Sequence, residues 1–281
     1  MNNKVSTATL KHIAILSMLI DHLTQHLYLP IAEAKGVSEL AMAPVLLVGS
    51  LIIGRIAFVL FAYTCSLSVM HSKNIRKYLL RLFIFCFISE IPYDLASYGT
   101  FFDLTAQNVF FTLFLGTLTI VLCNLIDAKI KNNENNTNNE NGKYNKELPA
   151  EILKLIVFIM TMMCAYVLNS DYGAAGVLLI YLMYRNRADS KKMIIFAFIP
   201  FMILFGIETW FKETGGVITD IVDTIFTCLG CAITEIAGLI GFNFISNYNH
   251  ERGKQLNKWF YYIFYPAHLL IIAIIVKIVV N

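Results

Sequence analysis

Nine apolar runs, most of them about as long as a bilayer is thick, dictate what this chain can become. They fall at residues 10–29, 45–70, 78–97, 106–126, 151–168, 172–185, 192–211, 217–247 and 258–280. Roughly 20 apolar residues cross the hydrocarbon core as a helix. The pattern therefore predicts an all-α fold, a polytopic transmembrane helix bundle of about nine spans. The short sixth run and the long eighth set the range at eight to ten. Composition agrees: 57% of the 281 residues are hydrophobic and 15% charged, against about a quarter charged in soluble domains. The mean hydropathy is +0.64. A soluble enzyme with one anchor, a secreted disulfide scaffold and a nucleic-acid binder are excluded. The net charge of +3 gives no sign of a polyanionic macromolecular partner.

Lysines and arginines orient the bundle. Sixteen, from Lys4 and Lys11 through Arg185 to Lys258, fall on alternate connections, whereas Lys35, Lys212 and Lys277 fall on the other side. By the positive-inside rule the amino terminus is cytoplasmic. The first run carries Asp21, His22 and His26 and has no small-residue cleavage site, so it is expected to stay as a helix. Residues 127–150, rich in asparagine, read as a disordered cytoplasmic linker. It separates a first four-helix half, 1–126, from a second half of about five helices, 151–281. No internal repeat relates the halves. The six cysteines lie in apolar runs and read as small buried side chains.

The informative residues are those that do not belong in lipid. An ionisable side chain at mid-span costs about 2.5–3.5 kcal/mol on insertion scales. Even so, the runs hold Asp21, His22, Arg55, Arg81, Glu90, Asp94, Glu208, Glu235 and His268. At about 1.5 Å of rise per residue, His22, Arg55, Glu90 and His268 reach overlapping depths on four helices. Adjacent helical residues point apart, so Glu90 is expected to orient the His22 ring in preference to Asp21. His22 and His26 have metal-ligand spacing, but no acid or cysteine joins them at another turn, and no metal is expected.

Six ordered blocks resemble the TraX family of membrane proteins. They are LKHIAILSMLIDH at 10–22, IGRIAFVLFAY at 53–63, KYLLRLFIFCFISEIPYDLA at 77–96, QNVFFTLFLG at 107–116, DYGAAGVLLI at 171–180 and KWFYYIFYPAHLLII at 258–272. The turns at 66–74 and 248–253 depart from the family pattern. The resemblance implies a relative of multi-spanning acyltransferases in the bacterial cell (inner) membrane. Such enzymes take an acetyl group from cytoplasmic acetyl-CoA and pass it to an acceptor on the far side. One family member is linked to acetylation of a pilin amino terminus.

On this reading His22 is the general base, with Asp21, Glu90, Arg55 and His268 beside it in the catalytic group. Arg55 would stabilise the oxyanion, and His268 and Tyr265 would supply a further donor. Coenzyme A would meet Arg76, Lys77, Arg81, Arg185, Arg252, Lys254, Lys258 and Tyr265. Asp94, Asn108, Asp171 and Tyr172 would face the acceptor, a peptide or glycan amine or hydroxyl. The competing reading is a proton-coupled transporter or channel built on the same intramembrane charges.

Overall fold

The computed structural model describes residues 5–135, 141–218 and 220–280, without the side chains of 132–135 and 141–147. Lys4, the side chains of Lys143 and Lys146, and residues 136–140 of the Asn-rich segment lie outside the described residues. The described chain is all helical, in nine rods: α1 (7–34), α2 (39–71), α3 (75–98), α4 (109–135), α5 (141–167), α6 (173–185), α7 (190–214), α8 (221–246) and α9 (258–280). Each apolar run of the sequence falls on one rod. Six rods, α2, α4, α5, α7, α8 and α9, are long and apolar enough to cross a membrane on their own.

The other three have identifiable reasons for falling short. Asp21, His22 and His26 interrupt the apolar character of α1. α3 breaks at Ser89, where Pro92 removes the amide that would have bonded one turn back. α6 has 13 residues and starts abruptly after Tyr172, whose φ of 63° is left-handed. Its exposed first amides are taken by Glu208 of α7, which accepts from Ala174 at 3.2 Å and Ala175 at 3.1 Å. A carboxylate there also offsets the helix dipole. Gly173 (φ 46°) makes room, since a Cβ would overlap that carboxylate.

α2 and α6 form the centre. From Ile56 to Leu67 nearly every α2 side chain is buried, and so are most from Gly173 to Met183 of α6. A helix apolar on all sides is a core helix. α1, α4 and α8 pack on α2, while α4, α5 and α7 pack on α6. α5 and α8 turn many large apolar side chains outward, the face expected of helices lying against lipid. Cys65, Cys86 and Cys123 are buried as expected. Cys164 is instead on the outer surface, and Cys228 and Cys231 are half-buried.

Helix reaches further into the Asn-rich stretch than its composition suggests. Residues 127–135 continue α4 and 141–150 open α5. Lys154 of α5 pairs with Asp127 of α4 at 2.7 Å, which ties the two rods at the end of their apolar parts, and with Glu151 of its own rod at 2.5 Å. Farther along, Thr119 meets Thr161 and Thr112 meets Ser170, so α4 and α5 run antiparallel. Two isolated backbone bridges complete the frame. Gln107 pairs with Ser170, and Val5 pairs with Tyr248.

Candidate active site

The Val5–Tyr248 bridge belongs to a wider seam. Thr7 and Ala8 donate to the carbonyls of Glu251 and Arg252, and Ser6 caps α1. The seam holds the 247–257 connection against the start of α1. Beside it opens a cavity of about 670 Å³, walled by α1, α2, α3, α9, the first turns of α4 and this connection. Lys11, Lys73, Lys77, Arg81, Arg252 and Lys258 line it, with His71 and His250, and no aspartate or glutamate does among the described residues. Six cations around one space repel each other unless an anion joins them. Local structure sets three of them. Asn74 caps α3 through the Lys77 amide, and Arg81 donates to the Tyr262 hydroxyl at 3.4 Å. Lys11 lies over the Tyr261 ring, 4.9 Å from its centroid.

The charge is confined to the mouth. Along α1, Lys11, Met18 and His22 share one face, spanning about 16 Å at 1.5 Å per residue. Along α9 the order is Lys258, Tyr262, Tyr265. Met18, Phe110, Leu113 and Tyr265 form the inner walls. Tyr265 stands edge-on to the His22 ring, centroids 5.7 Å apart. The cavity thus has cations at its mouth and mostly apolar and aromatic side chains farther in, among them Tyr265, which touches the His22 ring.

His22 meets His268 there. Nδ1 of His22 lies 2.6 Å from Nε2 of His268, and Nδ1 of His268 lies 2.6 Å from the Phe264 carbonyl oxygen. His26 packs edge-on to His22 at 5.5 Å. Glu90 does not orient His22, contrary to expectation; His268 takes that position. The reason is the clasp of Asn108, which donates to both Glu90 and the Cys86 carbonyl while accepting from the Phe110 amide.

Arg55 belongs to a different cluster. Its Nε lies 3.0 Å from Glu235 Oε1 of α8, but out of line for a hydrogen bond. Its Nη1 donates to the Tyr172 hydroxyl at 3.4 Å. Tyr172 is stacked flat on Phe58, 3.7 Å between centroids. Asp21 is on this side too. It accepts from Gln25 at 2.8 Å and lies so close to Gly54 that a Cβ there would overlap it. Both clusters adjoin π-helical segments, Leu23–Tyr28 after His22 and Leu47–Gly54 before Arg55, a departure from α-helix that is frequent at functional sites.

A model of the TraX protein family matches residues 6–276. The chain belongs to the TraX family. No curated protein and no solved structure matches it. Among the positions the TraX-family motifs mark, the structure brings His22, Tyr265 and His268 together, and separately Asp21, Arg55 and Tyr172. Asp94 is fully buried and accepts from the Asp103 amide, holding the connection before α4. Asp171 is surface-exposed beside Gln107.

The cations divide likewise. Lys77, Arg81, Arg252 and Lys258 line the cavity, whereas Arg76, Arg185 and Lys254 are exposed away from its wall. Lys11, Lys73, His71 and His250 line it as well, and the sequence does not single them out as binding residues. Lys11 had a readable signal, its shared face with His22 on one helix. Lys73 and His250 sit in connections and had none.

Proposed function

We propose that this TraX-family protein is a membrane acyltransferase that moves an acetyl group from acetyl-CoA to an amine or hydroxyl acceptor. The observation that carries the reading is the basic cavity, without a carboxylate among its described lining residues, whose inner wall includes Tyr265, in ring contact with His22. Coenzyme A has the matching form, with phosphates at one end and a long uncharged arm leading to the thioester. Its phosphates would meet Lys77, Arg81, Arg252 and Lys258 together with Lys11 and Lys73, through charge-assisted contacts. Its arm would follow Met18 and Phe110 to Tyr265. The sixteen-to-three lysine and arginine asymmetry favours a mouth on the cytoplasmic side, where the donor is made.

In the reaction, the acceptor nitrogen or oxygen attacks the thioester carbonyl and its proton passes to His22. The carbon–sulfur bond then breaks, and the proton moves from His22 to the departing sulfur. The products are acetylated acceptor and free coenzyme A thiol. An imidazole is suited to both transfers near neutral pH. Arg55 takes no part in stabilising the oxyanion, because Glu235 already offsets its charge.

The test is to incubate purified protein in lipid nanodiscs with acetyl-labelled acetyl-CoA and a panel of peptide amines and amino sugars. Thiol release with label on an acceptor is expected. Absence of coenzyme A binding, read as no thermal stabilisation by the free coenzyme, would overturn the reading.

A further inference from the structure

We infer that His268 is a positioning residue that holds His22 as the tautomer with its hydrogen on Nδ1, leaving Nε2 as the atom that takes the proton. The argument starts at the far end of the chain of contacts. A backbone carbonyl only accepts, so at 2.6 Å from Phe264 O the Nδ1 of His268 must carry a hydrogen. A neutral imidazole carries one, so Nε2 of His268 presents a lone pair. That nitrogen is 2.6 Å from His22 Nδ1, which must therefore donate. His22 Nε2 is then unprotonated, and it has no hydrogen-bond partner among the described residues. The carbonyl thus sets His268, and His268 sets His22.

A doubly protonated His268 would reverse this order. It would bury a cation, since the residue is 7% exposed, among the Phe264, Tyr265 and His22 rings. Among the described residues no carboxylate pairs with it. A buried charge without a partner is strongly disfavoured, so the neutral relay is favoured. The arrangement also corrects the expectation that His268 donates to the reacting groups: its one hydrogen is held by Phe264. When His22 gains a proton on Nε2, its Nδ1–H bond to His268 becomes charge-assisted and strengthens.

The catalytic half of this inference rests on the acyl-transfer reading; the tautomer does not. The experiment is nitrogen-15 NMR of ring-labelled histidine in the full chain in nanodiscs, with His22 signals assigned by their loss in His22→Asn. Wild type is expected to show His22 protonated at Nδ1 and bare at Nε2. His268→Leu should release the ring to the other tautomer. It should lower kcat by roughly ten- to a hundredfold, the range known for losing the partner that orients a histidine ring at metal sites, with the KM for acetyl-CoA unchanged. His268→Gln, whose side-chain oxygen can accept from Nδ1–H, should keep the tautomer and recover part of kcat. A wild-type His22 that is protonated at Nε2, or at both nitrogens, overturns the inference, as does a tautomer indifferent to His268→Leu. A wild-type protein with the expected tautomer and no transferase activity would sink the acyl-transfer reading alone.

Discussion

Asp21 and His22 are neighbours in sequence and belong to different sites. Adjacent residues point about 100° apart on a helix, so Asp21 backs onto α2 while His22 turns to α9. The α2 side leads to the Arg55–Glu235 pair, with Tyr172 bonded to the guanidinium. The α9 side leads to His268 and the Phe264 carbonyl. Both are polar and set inside the bundle. One is charged and closed, its ions partnered by each other across α2 and α8. The other is a pair of imidazoles beside the inner end of a basic cavity, with a ring nitrogen left over. The difference separates polar groups that hold helices together from polar groups available for chemistry.

The largest effect should come from breaking the second cluster. His22→Ala is expected to lower acetyl transfer by about 10²–10⁴-fold, the usual value of a general base. Folding and coenzyme A binding should stay near normal, because the cations line the mouth of the cavity about 16 Å away along α1. Transfer rate, melting temperature and coenzyme A affinity measured on one preparation check this. A folded variant with near-normal transfer would remove His22 from the mechanism and leave His268 as the next candidate.

Breaking the first cluster should act on stability instead. Arg55→Met leaves Glu235, whose side chain is 1% exposed, without its cation. Removing one partner of a buried pair costs about 3–5 kcal/mol, whereas replacing both by apolar residues is often neutral. The double variant Arg55→Met with Glu235→Leu should therefore recover most of the lost melting temperature, and its transfer rate should stay within a few-fold of wild type. A stable double variant with no activity would instead place Arg55 in the chemistry and blur the distinction between the clusters.

The sequence makes the bundle legible because lipid enforces it. Run length, and the cost of charge in hydrocarbon, locate all nine rods and single out Asp21, His22, Arg55, Glu90, Glu235 and His268. Pairing is much less legible. Arg55 and Glu235 are far apart in sequence, and nothing in either run names the other. Depth alone made Glu90 a fair partner for His22. It is diverted by Asn108, whose three bonds are visible only once α3 and α4 are packed. His268 was marked, but its role turns on which nitrogen faces which atom, and that is geometry. The basic cavity is intermediate. Charge counting finds the face but treats its cations alike, whereas the fold brings some of them to one wall.

That division yields the smallest effects, and it tests whether the cavity or the face binds the donor. Lys77 and Arg252 line the cavity; Arg185 and Lys254 belong to the same basic face, exposed away from the wall. A charge-assisted contact to phosphate is worth about 1.5–3 kcal/mol, so Lys77→Ala and Arg252→Ala should each raise the apparent KM for acetyl-CoA about tenfold or more, with kcat little changed. Arg185→Ala and Lys254→Ala remove equal charge from the same side. Neither lines the cavity, so their charge reaches the ligand only through solvent, where salt screens it, and their KM should stay within about twofold. The four variants are compared at one ionic strength, with transfer rate measured against acetyl-CoA concentration. Equal shifts in all four would mean that the donor is gathered by the overall field of the basic face. The cavity next to His22 would then lose its claim to the coenzyme, and the inner imidazole pair would need another route to its substrate.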